Sequence, residues 1–93
     1  MIVGLCTLVL RLDWSNSLKE KRREVKSLIE RARAKFNISI AETECQDQWK
    51  TAVIGFAVVS SERRHVDSSL NRVIDFIAGN TEAELVSKEI EII

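Results

Sequence analysis

The sequence predicts an α+β sandwich of order β-α-β-β-α-β, with four antiparallel strands carrying two helices on one face. Three observations predict it. Residues 2–12, 38–45, 51–59 and 83–93 read as strands, and two intervening stretches repeat apolar residues at helical spacing. Each half of the chain is therefore a β-α-β unit, and one polar turn joins the halves. Right-handed crossovers then set the strand order 4-1-3-2, with strands one and three at the centre. The 93 residues suffice for one core and form one expected domain, 1–93.

Each element has its own signature. In the first strand Ile2, Cys6, Leu8, Leu10 and Leu12 share one parity, and Val3, Leu5 and Val9 the other. Apolar residues on both parities predict a central strand covered on both faces. Asp13-Trp14-Ser15-Asn16 breaks the pattern with turn chemistry. Ser17 and Glu20 then spell a capping box, opening a helix over 17–36 whose stripe is Leu18, Val25, Leu28, Ile29, Ala32 and Phe36. Asn37 is the expected exit from it.

Ile38-Ser-Ile-Ala starts the second strand, and Gln46-Asp-Gln-Trp49 supplies the turn, where Asp47 is expected to make an Asx-type bond. The third strand again has both parities apolar: Ile54, Phe56 and Val58 against Val53, Gly55, Ala57 and Val59. Ser60 or Ser61 is the expected cap of the second helix, striped by Val66, Leu70, Val73, Ile74 and Ile77 and ended by Gly79-Asn80. In the last strand Val86, Ile90 and Ile92 share a parity. The whole is the ferredoxin-like sandwich. Its uncovered sheet face would expose Val3, Leu5, Val9, Val53, Ala57 and Val59, and a patch of that kind marks an interface. A homodimer packed sheet to sheet is the expectation, against an unusually apolar monomer.

The formal net charge of zero conceals an uneven distribution. Residues 17–36 hold eight Lys/Arg against three Glu, a surplus of five, whereas 82–93 and 37–50 carry deficits of three and two. At about 100° per residue, Lys19, Arg22, Arg23, Lys26 and Arg33 form one stripe of the first helix. Lys21 is the exception, because it falls in the sector of Val25, Leu28 and Ala32. It must lie beyond the sheet's end or turn its ammonium outward. The candidate nucleic-acid contacts are Lys19, Lys21, Arg22, Arg23 and Lys26, acting on phosphates. The competing reading is a solvated helix face steadied by Glu20–Arg23 and Glu30–Arg33 pairs. Trp14 and Trp49 fall in loops and are expected to pack over core edges, so no aromatic platform for base-specific reading accompanies the cations.

Signatures of catalysis are missing, and no enzyme is expected. His65 stands beside Arg63 and Arg64 without a carboxylate set, and no glycine-rich phosphate loop, nucleophile motif or zinc spacing occurs. Neither cofactor nor metal is expected. Glu42 and Glu44 lie two apart on an edge strand and are expected to share a solvated face that deters aggregation. Cys6 and Cys45 fit no metal or redox spacing and read as reduced thiols. No apolar run approaches the ~20 residues of a spanning helix. Met1-Ile-Val-Gly-Leu lacks the basic start of a signal peptide, so the expected location is the cytoplasm.

Four motifs in order, Ser17-Leu-Lys-Glu-Lys-Arg22, Phe36-Asn-Ile-Ser-Ile-Ala-Glu42, Gln46-Asp-Gln-Trp49 and Gly55-Phe-Ala-Val-Val-Ser60, resemble the YlxP-like family of small bacterial proteins. The likeness covers nearly the whole chain. It implies a ferredoxin-like sheet and an unassigned activity, with no catalytic residues to carry over. Genes of that family often lie between those for a translation initiation factor and ribosome-binding factor A, which implies a link to translation or ribosome assembly. The resulting expectation is an RNA- or ribosome-associated binding module. A homodimeric protein-interaction module without nucleic acid is the alternative.

Overall fold

A computed structural model describes residues 1–93. The elements follow the expected order: β1 (Ile2–Arg11), α1 (Leu18–Lys35), β2 (Ser39–Glu44), β3 (Thr51–Ser60), α2 (Arg63–Gly79) and β4 (Glu84–Ile92). All pairings are antiparallel, and the sheet runs β2-β3-β1-β4. This is the ferredoxin-like topology with β1 and β3 at the centre.

The even-numbered side of β1 makes the core. Cys6, Leu8 and Leu10 pack with Ile54, Phe56 and Val58 of β3, and both helices cover this face. Val25, Leu28 and Ala32 come from α1, and Val66, Leu70, Val73, Ile74 and Ile77 from α2. Burial pushes the Cys6 thiol from 9.0 to about 11, against a smaller opposing pull from Lys88. Gly4 lets α2 come close, because a Cβ there would lie 2.5 Å from Val66 Cγ1. On the other face Val3, Leu5, Val9 and Ala57 are half-buried with no layer above them; Val53 is buried and Val59 is 63% exposed.

Four local expectations are corrected. Neither Ser60 nor Ser61 caps α2: the cap is Glu62, which offers no side-chain bond, and Ser60 Oγ accepts from the Glu62 amide at 3.2 Å. The hydroxyl closes the strand-to-helix turn because β3 extends to Ser60. Gly79 is not a left-handed terminator; it is the last helical residue, and Asn80 Nδ2 ends the helix by donating to Phe76 O at 2.8 Å. Val86 is not in the core row. The β1–β4 register shifts at this point, pairing Val9 with Ser87 and Leu10 with Leu85. Val86 is thus the extra residue of a bulge, and Leu85 packs on the core. A second bulge, between Glu42 and Glu44, separates the two glutamates expected on one face.

Candidate nucleic-acid interface on helix α1

Helix α1 begins as expected. Ser17 Oγ accepts from the Glu20 amide at 3.1 Å. The Glu20 carboxylate reaches back, although it accepts from the Asn16 amide at 3.0 Å instead of the cap's own.

Lys21, one turn in, is 0% exposed. Its ammonium ion-pairs with the Glu42 carboxylate and also donates to Cys45 O at 2.8 Å and Gln46 O at 3.4 Å. All three N–H bonds therefore meet oxygens, one from β2 and two from the β2–β3 connection. The cause is geometric: β2 stops at Glu44, so irregular backbone lies under the first turns of α1 where a strand would present apolar side chains. Its carbonyls need a donor. Cys45 is the one non-glycine residue with positive φ (61°), and its carbonyl also accepts from the Gln48 amide at 3.0 Å. Lys21 thus clamps a left-handed turn, and it cannot serve as the predicted phosphate contact. Neither option read from the sequence, lying beyond the sheet or turning outward, describes it.

The remaining cations divide between the flanks of α1. On the β2 side Arg22, Lys26 and Arg33 line a groove of about 450 Å3 floored by Val25 and Ile29. Glu30 and Glu42 also border it, but Glu42 is neutralised by Lys21. Arg33 Nη2 donates to Ile40 O of the edge strand at 3.0 Å. Arg22 lies 3.6 Å from Asp47, both well exposed, a pair of little energetic consequence. Asp47 makes no Asx-type bond. Lys19 is exposed in the first turn and forms no ion pair.

The α2 side is acidic. Arg23 borders a groove of about 330 Å3 with Trp14, Ser27 and three carboxylates, Glu20, Glu24 and Glu82. Thr81 Oγ1 donates to Glu24 at 3.1 Å, and Arg31 stands 3.9 Å from it. The Glu20–Arg23 and Glu30–Arg33 pairs expected from spacing do not form. Glu20 is occupied by the cap, and Arg33 by a backbone carbonyl. Of the five candidates Lys19 and Lys26 therefore remain unpaired and Arg22 keeps only its loose, exposed pair with Asp47, with Arg33 extending the row.

Sequence reasoning missed Lys50. Its ammonium donates to Asp13 O at 2.6 Å and Ser15 O at 2.8 Å, while Lys50 O accepts from the Leu12 amide at 2.8 Å. A lone cation closing an acidic turn was the available signal. The tie brings the loops bearing Trp14 and Trp49 to one end of the molecule. The rings stay 40% and 53% exposed, not packed over core edges as expected. His65 is exposed and 3.5 Å from Glu62.

Residues 3–90 match the family described as "Protein of unknown function (DUF503)". A Bacillus subtilis (strain 168) protein described as "Uncharacterized protein YlxP" is 43% identical over 70 residues, 75% of this chain and 76% of that one. Among solved structures, a de novo designed protein with ferredoxin fold superimposes with a TM-score of 0.60. It is 13% identical, over 98% of this chain and 85% of the design. A second design, Foldit4, gives 0.51 at 10% identity, over 99% and 94%. These two establish the fold alone. No helix is long and apolar enough to cross a membrane. The chain belongs to the DUF503, YlxP-like family.

Proposed function

We propose that this DUF503 member is a non-catalytic, cytoplasmic module that binds RNA through its phosphate backbone, with ribosomal RNA as the natural target. One observation carries the reading: the β2-side groove of α1, where Arg22, Lys26 and Arg33 outnumber the carboxylates left to them, Glu30 and the exposed Asp47, because Lys21 has consumed Glu42. A row of cations on a rigid helix over an apolar floor suits a phosphate ridge, and Lys19 extends the row toward the helix start. The family resemblance, with its implied gene neighbourhood, supports a ribosomal target over other polyanions. Arg23 plays little part, because its three carboxylate neighbours repel phosphate.

The test is a salt series of binding to total RNA and to ribosomal subunits. For wild type the affinity falls steeply with salt. Changing Arg22, Lys26 and Arg33 to Gln flattens the log–log slope by about 2 to 3, near 0.9 for each duplex phosphate no longer neutralised. Neutralising Glu20, Glu24 and Glu82 leaves the slope unchanged. Unaltered co-sedimentation after charge reversal of Arg22, Lys26 and Arg33 overturns the proposal. Partner capture that survives nuclease instead identifies an acidic protein as the ligand of the same row.

A further inference from the structure

The open sheet face has a row structure that selects both its occupant and that occupant's orientation. Strand register places Ser39, Ala57, Leu5 and Glu91 in one row across the sheet, and Ala41, Gly55, Thr7 and Glu89 in the next. Beyond these lie Val59 beside Val3, and Val53 beside Val9. In the two central rows β3 carries the small residues and β1 the larger ones. A groove of about 350 Å3 lies over Gly55 as a result, walled by Leu5 and Thr7 on one side and Ala41 and Thr43 on the other. On this face Glu89 and Glu91 stand on the β4 border and Glu44 beside Val53 at the end of β2, while the two central rows end at neutral Ser39 and Ala41 on β2.

We infer that a second copy of this chain covers the face, related by a two-fold axis that runs parallel to the strands, midway between β1 and β3. That axis lays β3 of each copy over β1 of the other. Ala57 then faces the partner's Leu5, and Gly55 faces the partner's Thr7, so each copy's larger row fills the other's groove. Val59 meets Val3, and Val53 meets Val9. The same rotation sets Glu89 and Glu91 against Ala41 and Ser39, where the Ser39 hydroxyl can donate to a carboxylate. An axis perpendicular to the strands would stack β4 on β4 and oppose glutamates with glutamates, which is unfavourable. The sheet twist of about 30° between packed layers keeps the match tightest at these central rows.

Size supports the same occupant. Strands of ten, ten, nine and six residues, rising ~3.3 Å per residue and spaced ~4.8 Å, give a face of about 550 Å2 per copy. Two such faces reach about 1,100 Å2, above the roughly 1,000 Å2 that a biological interface of good complementarity needs. The inference is independent of the RNA reading, because α1 lies on the opposite side of the sheet.

The experiment uses Leu5→Cys and Ala57→Cys as separate chains, each also carrying Cys45→Ser, oxidised singly and as a mixture. The expected result is a cross-linked dimer in the mixture and little with either chain alone. Self-cross-linking of Ala57→Cys overturns the axis in favour of the perpendicular one, and no cross-link in any sample overturns the interface. Sedimentation provides a second readout. Wild type should run at twice its 10.6 kDa chain mass, and Val59→Glu at the chain mass with an unchanged far-UV spectrum. A wild type that is monomeric at micromolar concentration overturns the proposal even if RNA binding is intact.

Discussion

The two flanks of α1 differ in charge although one stripe of cations supplies both. Toward β2, Arg22, Lys26 and Arg33 dominate; toward α2, Arg23 sits among Glu20, Glu24 and Glu82. The difference is not made by α1 alone. Glu82 arrives from the α2–β4 connection, while on the other side Glu42 of β2 is removed from the surface balance by a lysine beneath the helix. A surface charge is therefore set by which neighbouring elements bring carboxylates and which of those are already spent, so a count along one helix misjudges it.

Removing the lysine that neutralises Glu42 tests this contrast most severely. Lys21→Met strands a buried carboxylate and should cost about 3–5 kcal/mol, read from urea unfolding. A double change, Lys21→Met with Glu42→Leu, should recover most of the loss, since apolar replacement of a buried pair is often neutral or stabilising. A loss as large in the double variant would show that Cys45 O and Gln46 O, not Glu42, are the partners that matter. The helix start is the next most sensitive point. Ser17→Ala frees Glu20 from its reciprocal cap and should cost ~1 kcal/mol. It should also leave RNA affinity within about twofold if the acidic flank is remote from the ligand. Smallest of all, Asp47→Asn should shift stability by less than about 0.5 kcal/mol, because Arg22–Asp47 is an exposed pair. A larger effect would show that Arg22 is held in place by Asp47 and is not free for a ligand.

Much of the architecture was legible because its signals are local and periodic. Apolar residues on both parities of β1 and β3 identified central strands, and Ser17 with Glu20 marked the helix start within one residue. The failures share a cause: each turned on a long-range arrangement that one segment cannot reveal. The bulge at Val86 depends on register against β1. The separation of Glu42 from Glu44 depends on register against β3. Periodicity did single out Lys21 as misplaced on an apolar sector, yet its partner stands 21 residues on, beyond a whole helix. Gly79-Asn80 was legible as the end of α2, but the terminating role went to Gly79, whose sequence signal is the stronger, and not to the Asn80 side chain. For the candidate site, residue types were visible but flanks were not, since those depend on where β2 and residues 81–83 come to rest.

The clamp beneath α1 also has an inheritance. A lineage that loses the amine alone keeps a stranded acid, and one that loses the acid alone keeps a stranded amine, so either step passes through a weakened protein. Positions 21 and 42 should consequently change hands together across descendants, as Lys with an acid or as two apolar residues. The mixed states should be rare, and wherever they occur a compensating donor or acceptor is expected among residues 45–48.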